Sequence, residues 1–224
     1  MRATWWATLF ALVPALIAAQ ETVFNVPSPD VLGAGVLYFE TDQYFTSPHA
    51  GTQDAFALVR GVLGVGHDVE IGFNAGAFDY RRASSPFADA TVKWRPVHGK
   101  NTGMIVGDNV GVGLGGAASG MRNLAYGAGF LVVPGSRSRA SAGPYCATRQ
   151  VFGTGRCGAQ LTLEQPLPSI SGVELAGDWY SGDGASATVG VIGTARRITL
   201  YLGYGFANTG RAGDLITLEV GLTL

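Results

Sequence analysis

The stretch Val69-Glu70-Ile71-Gly72-Phe73-Asn74-Ala75-Gly76-Ala77-Phe78 alternates apolar side chains with polar or bare positions. A period of two places successive side chains on opposite faces of a β-strand. In a water-soluble sandwich the apolar face is core. In a membrane barrel it turns outward to lipid, and the polar face lines the interior. The rest of the sequence decides between these orientations.

About twelve runs share this period, near 35–44, 54–65, 69–78, 87–95, 103–113, 122–133, 138–147, 157–165, 172–180, 187–194, 198–207 and 214–224. Most have the 9–11 or so residues that a tilted strand needs to cross a bilayer, and no stretch keeps a helical period. Short links follow the even runs (Gly66 to Asp68, Pro96 to Asn101, Pro134 to Arg137, Pro166 to Ser171, Ala195 to Arg197), and longer polar links follow the odd ones. This alternation gathers short turns on one rim and long loops on the other, as in outer-membrane barrels. A Greek-key sandwich needs a long crossover, and none is evident.

The two faces of the strands agree. Ala88, Ala90, Val92 and Trp94 alternate with Asp89, Thr91, Lys93 and Arg95, and Ile216, Leu218, Val220 and Leu222 alternate with Thr217, Glu219, Gly221 and Thr223. The polar face is rich in glycine (Gly72 and Gly76, Gly127 and Gly129, Gly203 and Gly205), which suits a concave lumen better than an open surface. Trp94 ends a strand at the short-turn rim. Tyr126, Trp179, Tyr204 and Phe206 fall towards the long-loop rim on the apolar face, giving the aromatic girdles of a barrel. The expected fold is all-β: a closed antiparallel up-and-down transmembrane β-barrel of about twelve strands over residues 35–224, with both termini on the periplasmic rim.

Composition fits that expectation. Of 224 residues 34 are Gly, and only 14 % are charged, well below the usual quarter. With 15 basic and 16 acidic residues the chain has no field that would attract nucleic acid. Residues 1–19 read as a cleaved signal peptide, with Arg2 ahead of an apolar run and Ala18-Ala19 at its end; an uncleaved anchor is the alternative. Residues 20–34 read as an irregular periplasmic segment ahead of the barrel. Cys146 and Cys157 flank one long loop in an exported chain, so a disulfide is expected, with two free thiols as the alternative.

Several pieces, in order, resemble a family of small uncharacterised bacterial outer-membrane β-barrel proteins. They are Val23-Phe24-Asn25-Val26-Pro27-Ser28, Lys93-Trp94-Arg95-Pro96, Val106-Gly107-Asp108-Asn109, Glu164-Gln165-Pro166 and Asp178-Trp179-Tyr180-Ser181-Gly182. The resemblance implies the fold and an outer-membrane address; it brings no activity. The chain departs from the general pattern of such barrels by ending in Leu224 instead of an aromatic residue.

The expected lumen carries Glu40, Asp42, Glu70, Asn74, Asp89, Glu164, Glu174, Asp178 and Glu219, with Arg60, Lys93, Arg95 and Arg139 as the bases. Two readings stand: a passive, porin-like channel whose charge rings admit ions or small polar solutes with a mild cation bias, or a closed barrel whose charges pair with one another. Asp108 breaks the pattern, because parity puts it among lipid-facing Met104, Val106, Val110 and Val112. Either it faces lipid, or a bulge at Gly107 turns it into the lumen, which is the expectation taken here. Enzyme chemistry is not expected. His67 and His98 fall in short turns, and His49, in a long loop, lacks an evident acid–serine partner. No metal-ligand spacing or cofactor motif is present. The expected partners are outer-membrane lipid, the barrel insertion machinery, and small polar solutes or cations.

Overall fold

The computed structural model describes residues 22–46, 55–78, 85–115, 119–152, 157–209 and 214–224; the expected signal peptide and His49 lie outside these. Twelve strands follow in chain order: β1 (Leu37–Thr46), β2 (Ala55–Gly66), β3 (Val69–Phe78), β4 (Ser85–His98), β5 (Thr102–Gly113), β6 (Gly120–Val132), β7 (Arg139–Ala147), β8 (Cys157–Pro166), β9 (Val173–Tyr180), β10 (Ser186–Ala195), β11 (Ile198–Ala207) and β12 (Leu215–Thr223). A single helical turn, α1 (Arg149–Phe152), interrupts the β7–β8 loop. Each strand pairs antiparallel with its neighbour in sequence, and β12 pairs with β1 from Tyr38↔Thr223 to Thr46↔Leu215, which closes the cylinder. Closure leaves no unpaired strand edge.

The stretch 69–78 is β3, and its faces fall as its period requires. Ile71 and Phe73 are exposed outward, at 46 % and 48 %, while Glu70 and Asn74 are buried inside. Val92, Trp94, Leu163, Val191, Leu200 and Leu218 continue the outward apolar surface. This is the reverse of a water-soluble barrel, whose apolar residues fill the middle. Inward Gly72 and Gly76 are half-buried and crowded. A Cβ on Gly72 would meet Thr91 and Val62, and one on Gly76 would meet the Phe56 and Phe87 rings. The small positions are small because their neighbours' side chains occupy the space.

The tight β2–β3 turn holds His67 and Asp68 at φ 53° and 58°, the left-handed conformation that lets two residues link antiparallel strands. Arg95 donates to the Asp68 carboxylate and, as the main cause, holds its pKa below the usual carboxylate range; His98 Nδ1 lies 3.1 Å from the other oxygen. Elsewhere the ladder adapts to proline. Pairing of β6 with β7 lapses between Tyr126↔Tyr145 and Gly129↔Ala142, opposite Pro144, which has no N–H to give. The Gln160 side chain donates to the Gly127 carbonyl there, at 3.3 Å.

The described residues ahead of β1 are irregular and run inside the barrel. Val23, Phe24, Val26 and Ser28 have no exposed surface, and the chain makes a tight turn closed by Val23 N–H to Val26 O at 2.9 Å. Phe24 packs with Tyr201 and Ile192 of the wall, and Val26 packs with Tyr126, Tyr145 and Tyr180. A short apolar run that belongs to no strand finds its burial inside the lumen.

Candidate functional site: a plugged lumen

The plug is held by charged wall residues along its whole course. One carboxylate oxygen of Asp178 accepts three consecutive backbone N–H groups, from Phe24 (3.1 Å), Asn25 and Val26 (2.8 Å). Successive N–H groups converging on one anion make a nest, here with its anion supplied by the wall. Asn25 Nδ2 donates to Thr188 Oγ1 at 2.9 Å, and Arg60 donates to Thr22 Oγ1 at 3.2 Å. Further towards the short-turn rim, Lys93 reaches Ser28 O at 3.4 Å, and Arg139 makes a two-pronged pair with Asp30 at 2.7 and 2.9 Å. Glu70 accepts Leu32 N–H at 2.9 Å. Glycines clear the way for the plug: a Cβ at Gly203 or Gly190 would fall within 3 Å of the Phe24 ring.

The same wall charges pair with one another. Lys93 contacts Glu70 at 2.8 Å, Arg60 bridges Glu40 (2.9 Å) and Asp42 (2.5 Å), and Arg139 donates through Nε to Glu164 at 3.0 Å. The lumen charges therefore do not form the open rings of a filter; they bind the plug and each other. Glu40, Asp42, Arg60, Glu70, Asn74, Asp89, Lys93, Glu164, Asp178 and Glu219 are all buried inside the cylinder. Glu174 lines a cavity at the short-turn rim. Arg95 sits at that rim on Asp68, with 23 % of its side chain exposed.

Two expected positions are corrected. The β4–β5 register runs without a break from Phe87↔Gly113 to Trp94↔Val106, and β5–β6 pairing is continuous from Thr102↔Leu131 to Gly113↔Gly120, so no bulge occurs at Gly107. Asp108, midway along β5, faces outward between Val92 and Ala125, where it accepts a 2.6 Å hydrogen bond from Asn123 Nδ2. Gly107 is bare because the Tyr126 ring lies over it. That ring is the second correction: Tyr126 is only 9 % exposed and faces the lumen, with Gly127 and Gly129 on the outer face. The β6 interior, Leu124, Tyr126 and Ala128, is apolar because the plug presents Val26 to it. Trp94 remains outward at the short-turn rim. Phe206 and Tyr204 face out at the other, their rings 4.9 Å apart, and Trp179 there donates to Asn208 at 3.1 Å.

An ionised side chain on a lipid-facing surface is unfavourable, less so for Asp than for Lys or Arg. Asp108→Leu is expected to raise barrel stability by about 1 kcal/mol in a bilayer, measured as the urea midpoint of unfolding from lipid vesicles. An unchanged or lowered midpoint would contradict the lipid-facing placement.

On the long-loop side of the plug is a cavity of about 500 Å³. Thr22, Asn25 and Pro27 border it, with Tyr44, Phe56, Phe87, Phe152 and Tyr180 around the wall. Arg122, not anticipated from the sequence, pairs with Asp89 at 3.1 Å, lies 3.9 Å over the Phe87 ring and donates to Gln150 O at 2.6 Å. Its position at the start of β6, in parity with Leu124, was the available signal. Asn74 Oδ1 and Tyr180 Oη are buried without a hydrogen-bond partner among the described residues, and both residues line this cavity. A second cavity of about 770 Å³ lies at the short-turn rim, bordered by Asp30, Arg139, Glu164 and Glu174. Cys146 and Cys157 pair across β7 and β8 in a disulfide beside α1. His67 and His98 lie in or beside short turns.

No known protein family and no curated protein matches the sequence. Solved structures do. The COG4313 outer membrane channel from Pseudomonas putida F1 aligns with a TM-score of 0.57 at 11 % identity, covering 87 % of this chain and 97 % of that one. Outer membrane phospholipase A from Escherichia coli aligns with a TM-score of 0.49 at 10 % identity, over 87 % and 94 % of the two chains. At these identities the likeness is one of fold: this chain has the architecture of bacterial outer-membrane barrels.

Proposed function

We propose that this chain is an integral outer-membrane channel for small polar or amphipathic solutes, closed in the described state by its own N-terminal segment. The observation that carries this reading is the division of the lumen. Thr22, Asn25 and Pro27 border the cavity on the long-loop side, while Asp30 borders the one on the short-turn side. The segment thus stands between two hollows, and it is attached to the wall by noncovalent contacts. Its withdrawal would join them into a passage and free the Asp178 carboxylate, whose charge favours cations. The apolar outer surface and the aromatic rims support the membrane address. The likeness in fold to a barrel described as a channel agrees with this reading.

A second reading has its own support. The wall charges are paired, and Val23, Phe24 and Val26 are buried like core residues, as in a permanently filled structural barrel. Planar-bilayer recordings separate the two. The intact chain is expected to be nearly silent, whereas a chain lacking residues 22–31 gives discrete, cation-favouring steps. A shortened chain that shows the heat-dependent gel mobility of a folded barrel, yet conducts nothing, would sink the channel reading and leave the structural one.

A further inference from the structure

Where the first and last strands close the cylinder, three carboxylates meet inside it. Asp42 of β1 stands directly opposite Glu219 of β12, and Glu40 is the next inward residue of β1. Oxygens of Glu40, Asp42 and Glu219 all lie within 4.8 Å of one another. Like charges directly opposite across a strand pair repel, and here water is excluded: Glu219 and Asp42 are 0 % exposed and Glu40 4 %. Arg60 serves Glu40 and Asp42, and Tyr38 donates its hydroxyl to Glu40. Glu219 is different. Neither of its oxygens has a hydrogen-bond donor among the described residues.

With all three carboxylates ionised against one guanidinium, the cluster would carry an excess of two negative charges, which one divalent cation would neutralise. The donors are all hard oxygens, without the nitrogen or sulfur that would select zinc or copper. Magnesium keeps several waters and near-ideal octahedral geometry, whereas calcium accepts irregular sets of carboxylates. Over this cluster Tyr201, opposite Glu219 in register, brings its hydroxyl to 3.1 Å from that of Tyr38 and meets Phe24 of the plug edge-on at 6.4 Å. Such a lid restricts the water that magnesium would retain.

We propose that Glu219, Asp42 and Glu40 bind one calcium-type divalent cation, which ties β12 to β1 across the closing seam of the barrel. Glu219 supplies both of its oxygens, and Asp42 and Glu40 each supply one carboxylate oxygen beside it. The proposal does not depend on whether the barrel conducts.

The test uses the full chain, folded in zwitterionic detergent and free of lipopolysaccharide. After treatment with chelator, the protein is titrated with Tb³⁺ and Ca²⁺. Tyr38 and Tyr201 stand beside the site, so excitation of tyrosine is expected to give sensitised Tb³⁺ emission that Ca²⁺ displaces. Elemental analysis after Ca²⁺ addition and desalting is expected to find one ion per chain, with a raised temperature for loss of the compact gel form. Glu219→Gln is expected to weaken Tb³⁺ binding by an order of magnitude or more, while Asp183→Asn, in the exposed β9–β10 loop, leaves it unchanged. Wild-type protein with neither sensitised emission nor a calcium-dependent shift would overturn the site, whether or not the variant folds. So would Glu219→Gln protein that binds Tb³⁺ as tightly as wild type.

Discussion

Asp178→Ala is expected to release the plug. Ordering irregular backbone costs about 1–2 kcal/mol per residue, and burial of each large apolar side chain returns about 1.5–3 kcal/mol. Across residues 22–32 the burial of Val23, Phe24 and Leu32 with Val26 does not cover that cost, so the polar anchors decide whether the segment stays ordered. The Asp178 carboxylate receives three of them. Hydrogen bonds to a charged group contribute about 1.5–3 kcal/mol each, and its loss also strands three N–H groups away from water. Two readouts follow. A thiol placed by Val26→Cys, at a position with no exposed surface, becomes reactive towards a membrane-impermeant reagent in the Asp178→Ala background and is protected in its absence; the native cysteines are bonded to each other and silent. In planar bilayers the same background flickers into open steps. Asp178→Asn, which keeps an acceptor but loses the charge, falls between. Wild-type protection and silence in Asp178→Ala would show that the plug does not hang on this carboxylate.

The second large effect is expected at Arg60. Its guanidinium reaches Glu40, Asp42 and the Thr22 hydroxyl, with 5 % of its side chain exposed. Arg60→Met fills similar space but leaves buried carboxylates without their cationic partner. Breaking one side of a buried ion pair costs about 3–5 kcal/mol, and here two acids lose the same base. The expected result, measured in the presence of chelator, is a drop in barrel stability of about that size by urea unfolding. Arg197→Met, in an exposed two-residue turn, serves as the control and should stay within about 0.5 kcal/mol. A matching small effect at both sites would mean that the cluster discharges itself by another route.

The wall of this protein was legible in the sequence because its period is strict. Residues 69–78 and 198–207 are strands with those bounds, and the alternation of short and long links gave the pairing of all the strands. The contents of the lumen were not legible, for a physical reason. Strand parity says which face a residue is on, but not what meets it there. The general preference of a membrane barrel points Tyr126 outward, whereas Val26 of the plug makes an apolar interior favourable there. The cost of a carboxylate against lipid argues for an inward Asp108, whereas Asn123, fifteen residues on, meets it on the outer face. Val23-Phe24-Asn25-Val26 carried a signal that periodicity does not weigh: apolar residues belonging to no strand, in a chain whose strands already face lipid, need another place to be buried.

The anchoring of the plug also fixes an order of events. The segment leads the described chain, yet the carboxylate that grips Phe24 lies 154 residues later, on β9. A growing sheet that has not reached β9 lacks the carboxylate that gathers the N–H groups of Phe24, Asn25 and Val26, and β1 finds its second neighbour only when β12 arrives. Until then residues 24–26 lack their main anchor, although β2, β3 and β4 already offer partners to Thr22, Leu32 and Ser28. An ordered lumen is therefore a mark of the completed cylinder, and seating of the N-terminal segment is a late step in its assembly.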